Sequence, residues 1–254
     1  MARSNYVIAY REACRVLSET PDPEGIALRA SCRFDPTASA FELPFIGRLF
    51  QVGYPGGEVV PGEPLAAAVG APPAPAGQAL LTAGILILHY LCKAARTAGS
   101  AGSAAASGVA PGAPATEPGR ERAPRDRDWI AFRELPGGNI YVTPFTNRTI
   151  RPMVSWFSRE PERLVRAAER LGGRRADFGH ASAVIDVLPL VPICFVLWQG
   201  DDEVPSSGQI LFDRSASDYL DTEDLVVAAA EALYAARAAD GAEEAVRPGT
   251  LELA

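Results

Sequence analysis

A chain of 254 residues, 48% hydrophobic and 22% charged, has the make-up of an ordinary globular protein and is long enough for one sizeable domain. Its net charge of −7 is concentrated between Gly200 and Asp224, where Asp201, Asp202, Glu203, Asp213, Asp218, Asp221, Glu223 and Asp224 stand against Arg214 alone. The remainder is nearly neutral, and the concentrated cationic surface that a nucleic-acid binder needs is missing.

Cys14, Cys32, Cys92 and Cys194 lie far apart, with no Cys-x-x-Cys pair and no nearby histidine. That spacing fits neither a zinc site nor a cluster held by consecutive ligands, and buried free thiols in a reducing compartment are expected. The N-terminus lacks the charged-then-apolar pattern of a secretory signal, so a cytoplasmic location is expected. Lys93 is the only lysine, a bias of composition that argues against reading any one arginine as a chosen anion clamp.

In chain order, Ser4 can cap a helix with Tyr6, Tyr10, Ala13 and Leu17 on one face, which Pro21 and Pro23 stop. Apolar Leu28, Ala30, Cys32 and Phe34 alternate with Arg29, Ser31 and Arg33, the clearest half-buried strand signal in the chain. Phe41 to Phe45 reads as extended, and Arg48–Val52 with Glu58–Val60 as a hairpin about Tyr54 to Gly57. Residues 61–77 read as loop. Gln78 to Ala95 has helix length and is apolar on nearly every face; it is short for a membrane span and contains His89 and Tyr90, so a buried core helix is expected.

Residues 97–124, low-complexity Ala, Gly, Ser and Pro followed by mixed charge, read as a disordered insertion. Trp129–Leu135 and Ile140–Val142 read as a hairpin about Pro136 to Asn139. Asn147 to Phe157 is ambiguous, with helix favoured after Pro152. Pro161 to Leu171 is a helix with proline in its first turn and two glycines beyond its end. Ala183–Leu188 and Val191–Trp198 are apolar strands, the second apolar on both faces and therefore central. Gln209–Phe212 follows as a further apolar run, and an Ala-rich helix covers 223–238. Strands and helices do not alternate, and no Gly-rich phosphate loop follows a strand. The expected fold class is α+β: one mostly antiparallel sheet covered by three to four helices, a single domain of residues 1–96 and 125–238 with an acidic flexible tail at 239–254.

LILHYL (86–91), WIAFRELPGGNIYVTPF (129–145), LPLVPICFVLWQGDDEVPSSGQILFD (188–213) and DYLDTEDL (218–225) together resemble landmarks of an uncharacterised bacterial and archaeal domain family. The resemblance runs from about Pro21 to Ala236, around the insertion. That family is common in anaerobes and is sometimes fused to an iron–sulfur module of the corrinoid-protein type. It implies an accessory or cofactor-associated role and transfers no catalytic residue. The cysteine-rich module is missing here, so no iron–sulfur cluster is expected in this chain, and His180 stands where the family pattern calls for an acid.

Two classes of function follow. In the first, a small ligand or partner protein occupies a pocket formed by His89, Tyr90, Trp198, the loop Asp201, Asp202 and Glu203, and Asp213. In the second, Asp201, Asp202, Glu203 and Asp213 act as general acids and bases or divalent-metal ligands in an enzyme. The ordinary state of the acidic loop is a solvated hairpin turn, and that of His89 a satisfied wall histidine. A pure interaction module is a third reading. No dedicated metal set, nucleic-acid face or membrane span is expected.

Overall fold

The computed structural model describes residues 2–68, 74–100 and 127–241. The first helix, α1 (Ala2–Ser18), begins before the Ser4 cap expected from the sequence, and it buries Ala13 and Leu17 as the spacing requires. The chain does not then extend. Asp22 accepts the Gly25 N–H at 2.9 Å and Pro23 fills the first turn, starting α2 (Pro23–Arg29). The strand expected over Leu28–Phe34 shrinks to β1 (Arg33–Asp35), and Leu28, the first apolar residue of that alternation, points outward at 67% exposure.

A four-stranded antiparallel meander follows, β1 pairing with β2 (Ala40–Phe45), β2 with β3 (Arg48–Gly53) and β3 with β4 (Val59–Pro64). Next comes α3 (Gln78–Ser100). Its stretch Gln78–Arg96 is long and apolar enough to cross a membrane by length and composition alone, and 61% of that window is buried in the fold. From Ala83 to Ala95 only His89 and Lys93 interrupt its burial.

After β5 (Trp129–Ala131) and one 3-10 turn, Gly137, at φ +72°, and Gly138 lead the backbone into α4 (Gly138–Phe145) rather than into a returning strand. A π turn over Thr146–Ile150 continues without a break into α5 (Arg151–Phe157). Proline accounts for that turn. Pro152 has no N–H to offer Arg148 four residues back, and the N–H of Arg151 donates instead to Thr146 O, five residues back.

The remaining elements are α6 (Glu162–Arg170), β6 (Arg174–Ala176), β7 (Ala181–Leu188), β8 (Val191–Trp198), β9 (Ser207–Asp213), the single turn α7 (Ala216–Tyr219) and α8 (Thr222–Ala239). The second sheet has the order β5-β9-β8-β7-β6, antiparallel throughout, with β8 in the middle. One apolar core runs through both sheets and all the longer helices, and the Ile46 N–H joins the sheets by donating to Val187 O at 3.1 Å.

The α+β class stands, but the expected arrangement is corrected in two respects. There are two antiparallel sheets rather than one, and among the described residues seven substantial helices rather than three to four. The surplus comes from α2, α4 and α5, which turn chemistry and short apolar runs disguise as strand or leave ambiguous. The insertion expected at 97–124 lies outside the described residues from 101 onward, with α3 itself running to Ser100; the expected tail lies outside them from 242 onward.

Candidate functional site

Four helices place one face each around a cavity of about 450 Å³. Helical spacing selects the lining: Asn5, Tyr6 and Ala9 from α1; Thr82, Ile85, Leu86 and His89 from α3; Ile140, Tyr141 and Pro144 from α4, with Arg148 from the π turn; Glu223, Asp224, Val226 and Val227 from the first two turns of α8. The walls are mostly aliphatic, and the volume lies within the range of small-molecule sites.

The polar groups are few and mostly committed. His89 Nδ1 lies 2.9 Å from Asp224 Oδ2. A carboxylate can only accept, so Nδ1 carries the proton, and Nε2 is left without a hydrogen-bond partner among the described residues. The bond to Asp224 raises the His89 pKa above its ordinary value, against the opposing effect of burial, with Asp221 adding to the rise and Arg96 opposing it. One turn along α3, Lys93 Nζ pairs with Asp221 Oδ1 at 2.8 Å and donates to Ser217 O at 2.9 Å. The Tyr141 hydroxyl donates to Glu223.

Arg148 differs from these groups. It is half-buried on the cavity wall and makes no hydrogen bond or ion pair among the described residues; the one titratable group acting on it is the Tyr6 phenol. Burial lowers its pKa from the ordinary arginine value. Thr82, whose hydroxyl donates to Gln78 O at 3.0 Å, is committed to its own helix, and among the described residues neither serine nor cysteine lines the cavity. The arrangement suits binding, and proton exchange through His89.

Of the residues singled out in the sequence, His89 alone lines this cavity. Tyr90, next to it on α3, points the opposite way, is fully buried, and donates to Ala30 O at 2.7 Å. Trp198 ends β8, 36% exposed, and borders a separate groove with Phe132, Phe145 and Gln209. Asp201, Asp202 and Glu203 form the exposed β8–β9 turn, where Asp201 Oδ1 accepts the N–H groups of Glu203 at 2.9 Å and Val204 at 2.8 Å. Those N–H groups hold the Asp201 carboxyl below its usual pKa. Asp213, at the end of β9, is buried and accepts from Arg127 at 3.2 Å and from the Ser215 N–H and hydroxyl at 3.0 and 2.7 Å. His89 thus lies on the helical cavity, Asp213 in its own buried cluster with Arg127 and Ser215, and Trp198 and the acidic turn at the end of the β8–β9 hairpin.

Tyr6, Tyr141, Arg148, Glu223 and Asp224 escaped the sequence reading as site residues. Glu223 and Asp224 entered it only through the acidic segment and the DYLDTEDL landmark, whose Thr222-Glu-Asp start reads as helix capping, and Tyr141 only through the 129–145 landmark. Among the described residues no group of three or more His, Cys, Asp or Glu gathers where it could hold a metal ion. The four cysteines are unpaired thiols, and burial raises all their pKa values, to about 12 at Cys32 and Cys194 and about 11 at Cys92.

No curated protein and no solved structure matches the chain. Residues 115–234 match the family model described as a domain of unknown function (DUF3786), a span that holds the α4, π-turn and α8 walls of the cavity but not His89 on α3.

Proposed function

We propose that this chain is an accessory domain, formed by residues 1–96 and 125–238, that binds one small, largely apolar ligand between α1, α3, α4 and α8. One observation carries the reading: four helices leave an aliphatic cavity of about 450 Å³ with a few polar groups set into its walls. A core of this quality elsewhere fills its space, with Leu17, Phe41, Phe145 and Phe212 all at 2% exposure or less. The cavity between half-buried Tyr6, His89 and Tyr141 is by contrast open to solvent on one side, where Ile140 is 78% exposed. The corrinoid link rests on the family resemblance alone and enters as one arm of the test.

The test is saturable uptake of a neutral fluorescent probe, N-phenyl-naphthylamine, by the wild-type protein and by Val227→Trp, which fills the cavity from a half-buried wall position. Uptake at one probe per chain, lost in Val227→Trp, supports the reading. No saturable uptake, or uptake unchanged in the variant, overturns it. Cobalamin is larger than this cavity, so the corrinoid arm is read apart from the probe, by equilibrium dialysis: retention of cobalamin by the protein supports it and no retention removes it.

A further inference from the structure

We infer that the ligand of this cavity is an organic acid with an apolar tail, its anionic head held by Arg148 and its tail laid along the aliphatic wall of Ile85, Leu86, Val226 and Val227. The inference rests on the binding role proposed above and adds the chemical class.

The argument is one of unmatched charge. Four charged or readily charged side chains line the cavity: His89, Arg148, Glu223 and Asp224. Asp224 is engaged by His89, and Glu223 by the Tyr141 hydroxyl. Arg148 alone is left without hydrogen bond or ion pair, although it is half-buried and already partly desolvated. None of its nitrogens is fully buried, so the guanidinium still meets water, and what it offers is a counter-charge to an anion entering the cavity. No acid of this chain pairs with the guanidinium among the described residues, while an open, ligand-sized space lies in front of it.

The guanidinium is also suited to the task. Its fixed fork of donors matches both oxygens of a carboxylate, and its charge persists at any physiological pH. Tyr6 lines the same cavity from α1, and its phenol, kept neutral by burial, offers a hydroxyl to the same space. Arg148 sits in the π turn that Pro152 forces on the helix, and π turns recur at ligand sites because they interrupt the regular backbone ladder. The paired acids Glu223 and Asp224 belong to α8, whereas Arg148 lies about two turns beyond Tyr141 along its own helix, so the cavity has a cationic wall and an acidic one. An aliphatic amine would choose the opposite wall, and the test therefore includes one.

Octanoate, octanol and octylamine share one tail and differ in the head. Each is titrated against bound N-phenyl-naphthylamine at about pH 8, where the acid is ionised and the amine protonated. Octanoate should displace the probe at a concentration at least roughly tenfold lower than octanol, the ratio expected of one charge-assisted hydrogen-bonded pair. Arg148→Gln should abolish that preference, read as the ratio of octanoate to octanol displacement within each variant so that any change in probe affinity cancels, and Arg148→Lys should retain part of it. Circular dichroism confirms that each variant is folded; the wild-type comparison decides the matter without them. Equal displacement by acid and alcohol, a preference for the amine, or an acid preference that survives in folded Arg148→Gln overturns the inference and leaves the cavity reading in place. Failure of the probe and all three compounds to bind overturns both.

Discussion

His89 on α3 and Asp224 on α8 are joined at 2.9 Å, and Lys93, one turn along α3, reaches Asp221 at 2.8 Å. Together these contacts tie the core helix to the first turn of α8. Asp221 occupies the cap position of α8 yet makes no side-chain capping bond; its carboxylate is turned to Lys93 instead. The acids at this helix start, favourable in themselves beside the positive end of the dipole, are thus used for tertiary docking.

The His89–Asp224 pair should make stability depend on pH in a defined direction. The folded His89 pKa is raised, first by the bond to Asp224 and further by Asp221, with burial and Arg96 opposing. Its contribution is therefore fully present below the ordinary histidine value of about 6.5 and is lost as pH rises through the raised folded value. Comparing wild type with His89→Gln by urea unfolding, we expect a gap of about 1 kcal/mol near pH 5.5 that narrows toward pH 9, the magnitude discounted for the part of the ring still in water. Asp224→Asn should flatten the same pH dependence. A gap of constant size across that range would show that the pair does not titrate in this way.

His89 could be found from the sequence because it interrupts an apolar helix, but Asp224 could not be found as its partner. The two lie 135 positions apart, and periodicity says which face of α3 is polar without saying which helix meets it. The strands β7, β8 and β9 and the helices α3, α6 and α8 were legible because burial alone dictates their patterns. The errors fall where two local signals compete. Leu28 to Phe34 alternates like a strand, but Asp22 and Pro23 start a helix that carries Leu28 and Arg29 before the chain can extend. Ile140 and Val142 follow two glycines as in a hairpin, yet those glycines open α4. Arg148 was masked by composition, since in a chain whose cations are nearly all arginine a solitary one carries no weight until its surroundings are known.

The two glycines at the start of α4 should respond unequally to substitution. A Cβ on Gly138 would lie 2.1 Å from Phe132 O, a backbone atom that cannot swing aside. A Cβ on Gly137 would meet nothing within 4 Å, and the cost there is the left-handed φ of +72° alone. Gly137→Ala should lose about 1 kcal/mol and Gly137→Asn less, because asparagine tolerates that conformation. Gly138→Ala should lose at least ~2 kcal/mol and disturb the cavity by shifting the α4 wall that carries Ile140, Tyr141 and Pro144. Denaturant midpoints and probe uptake measured on the three variants check this ordering.

Asp213 should behave as a structural anchor. It is 5% exposed, holds Arg127 and both donors of Ser215, and stands opposite Trp129 in the β5–β9 pairing. Asp213→Ala would strip the buried guanidinium of its counter-charge, at a cost of roughly 3 kcal/mol. Pairing it with Arg127→Met should recover part of the loss, because the orphaned charge is removed along with its partner. Unfolding free energies of the two single variants and the double variant measure the coupling; additive losses would show that the two side chains do not act as a pair.

The acidic turn divides by residue in the same manner. Asp201 closes the β8–β9 connection by accepting the N–H groups of Glu203 and Val204, and the Gly200 N–H donates to Ser206 Oγ at 2.9 Å across the same turn. Asp202 and Glu203 are exposed and make no side-chain hydrogen bond or ion pair among the described residues. Asp201→Ala should therefore lower the melting temperature, whereas Asp202→Asn and Glu203→Gln leave it unchanged. The folded Asp201 pKa is depressed by the two backbone N–H groups, so its contribution is present above the ordinary carboxylate value and fades as pH falls through the folded one. The difference between wild type and Asp201→Ala should accordingly shrink in acid. Magnesium or calcium should not raise the melting temperature of the wild-type protein, because no group of three ligating side chains gathers at this turn among the described residues, and a cation bound to the native state would raise it by mass action. A cation-dependent rise that Asp202→Asn abolishes would return the turn to the set of functional sites.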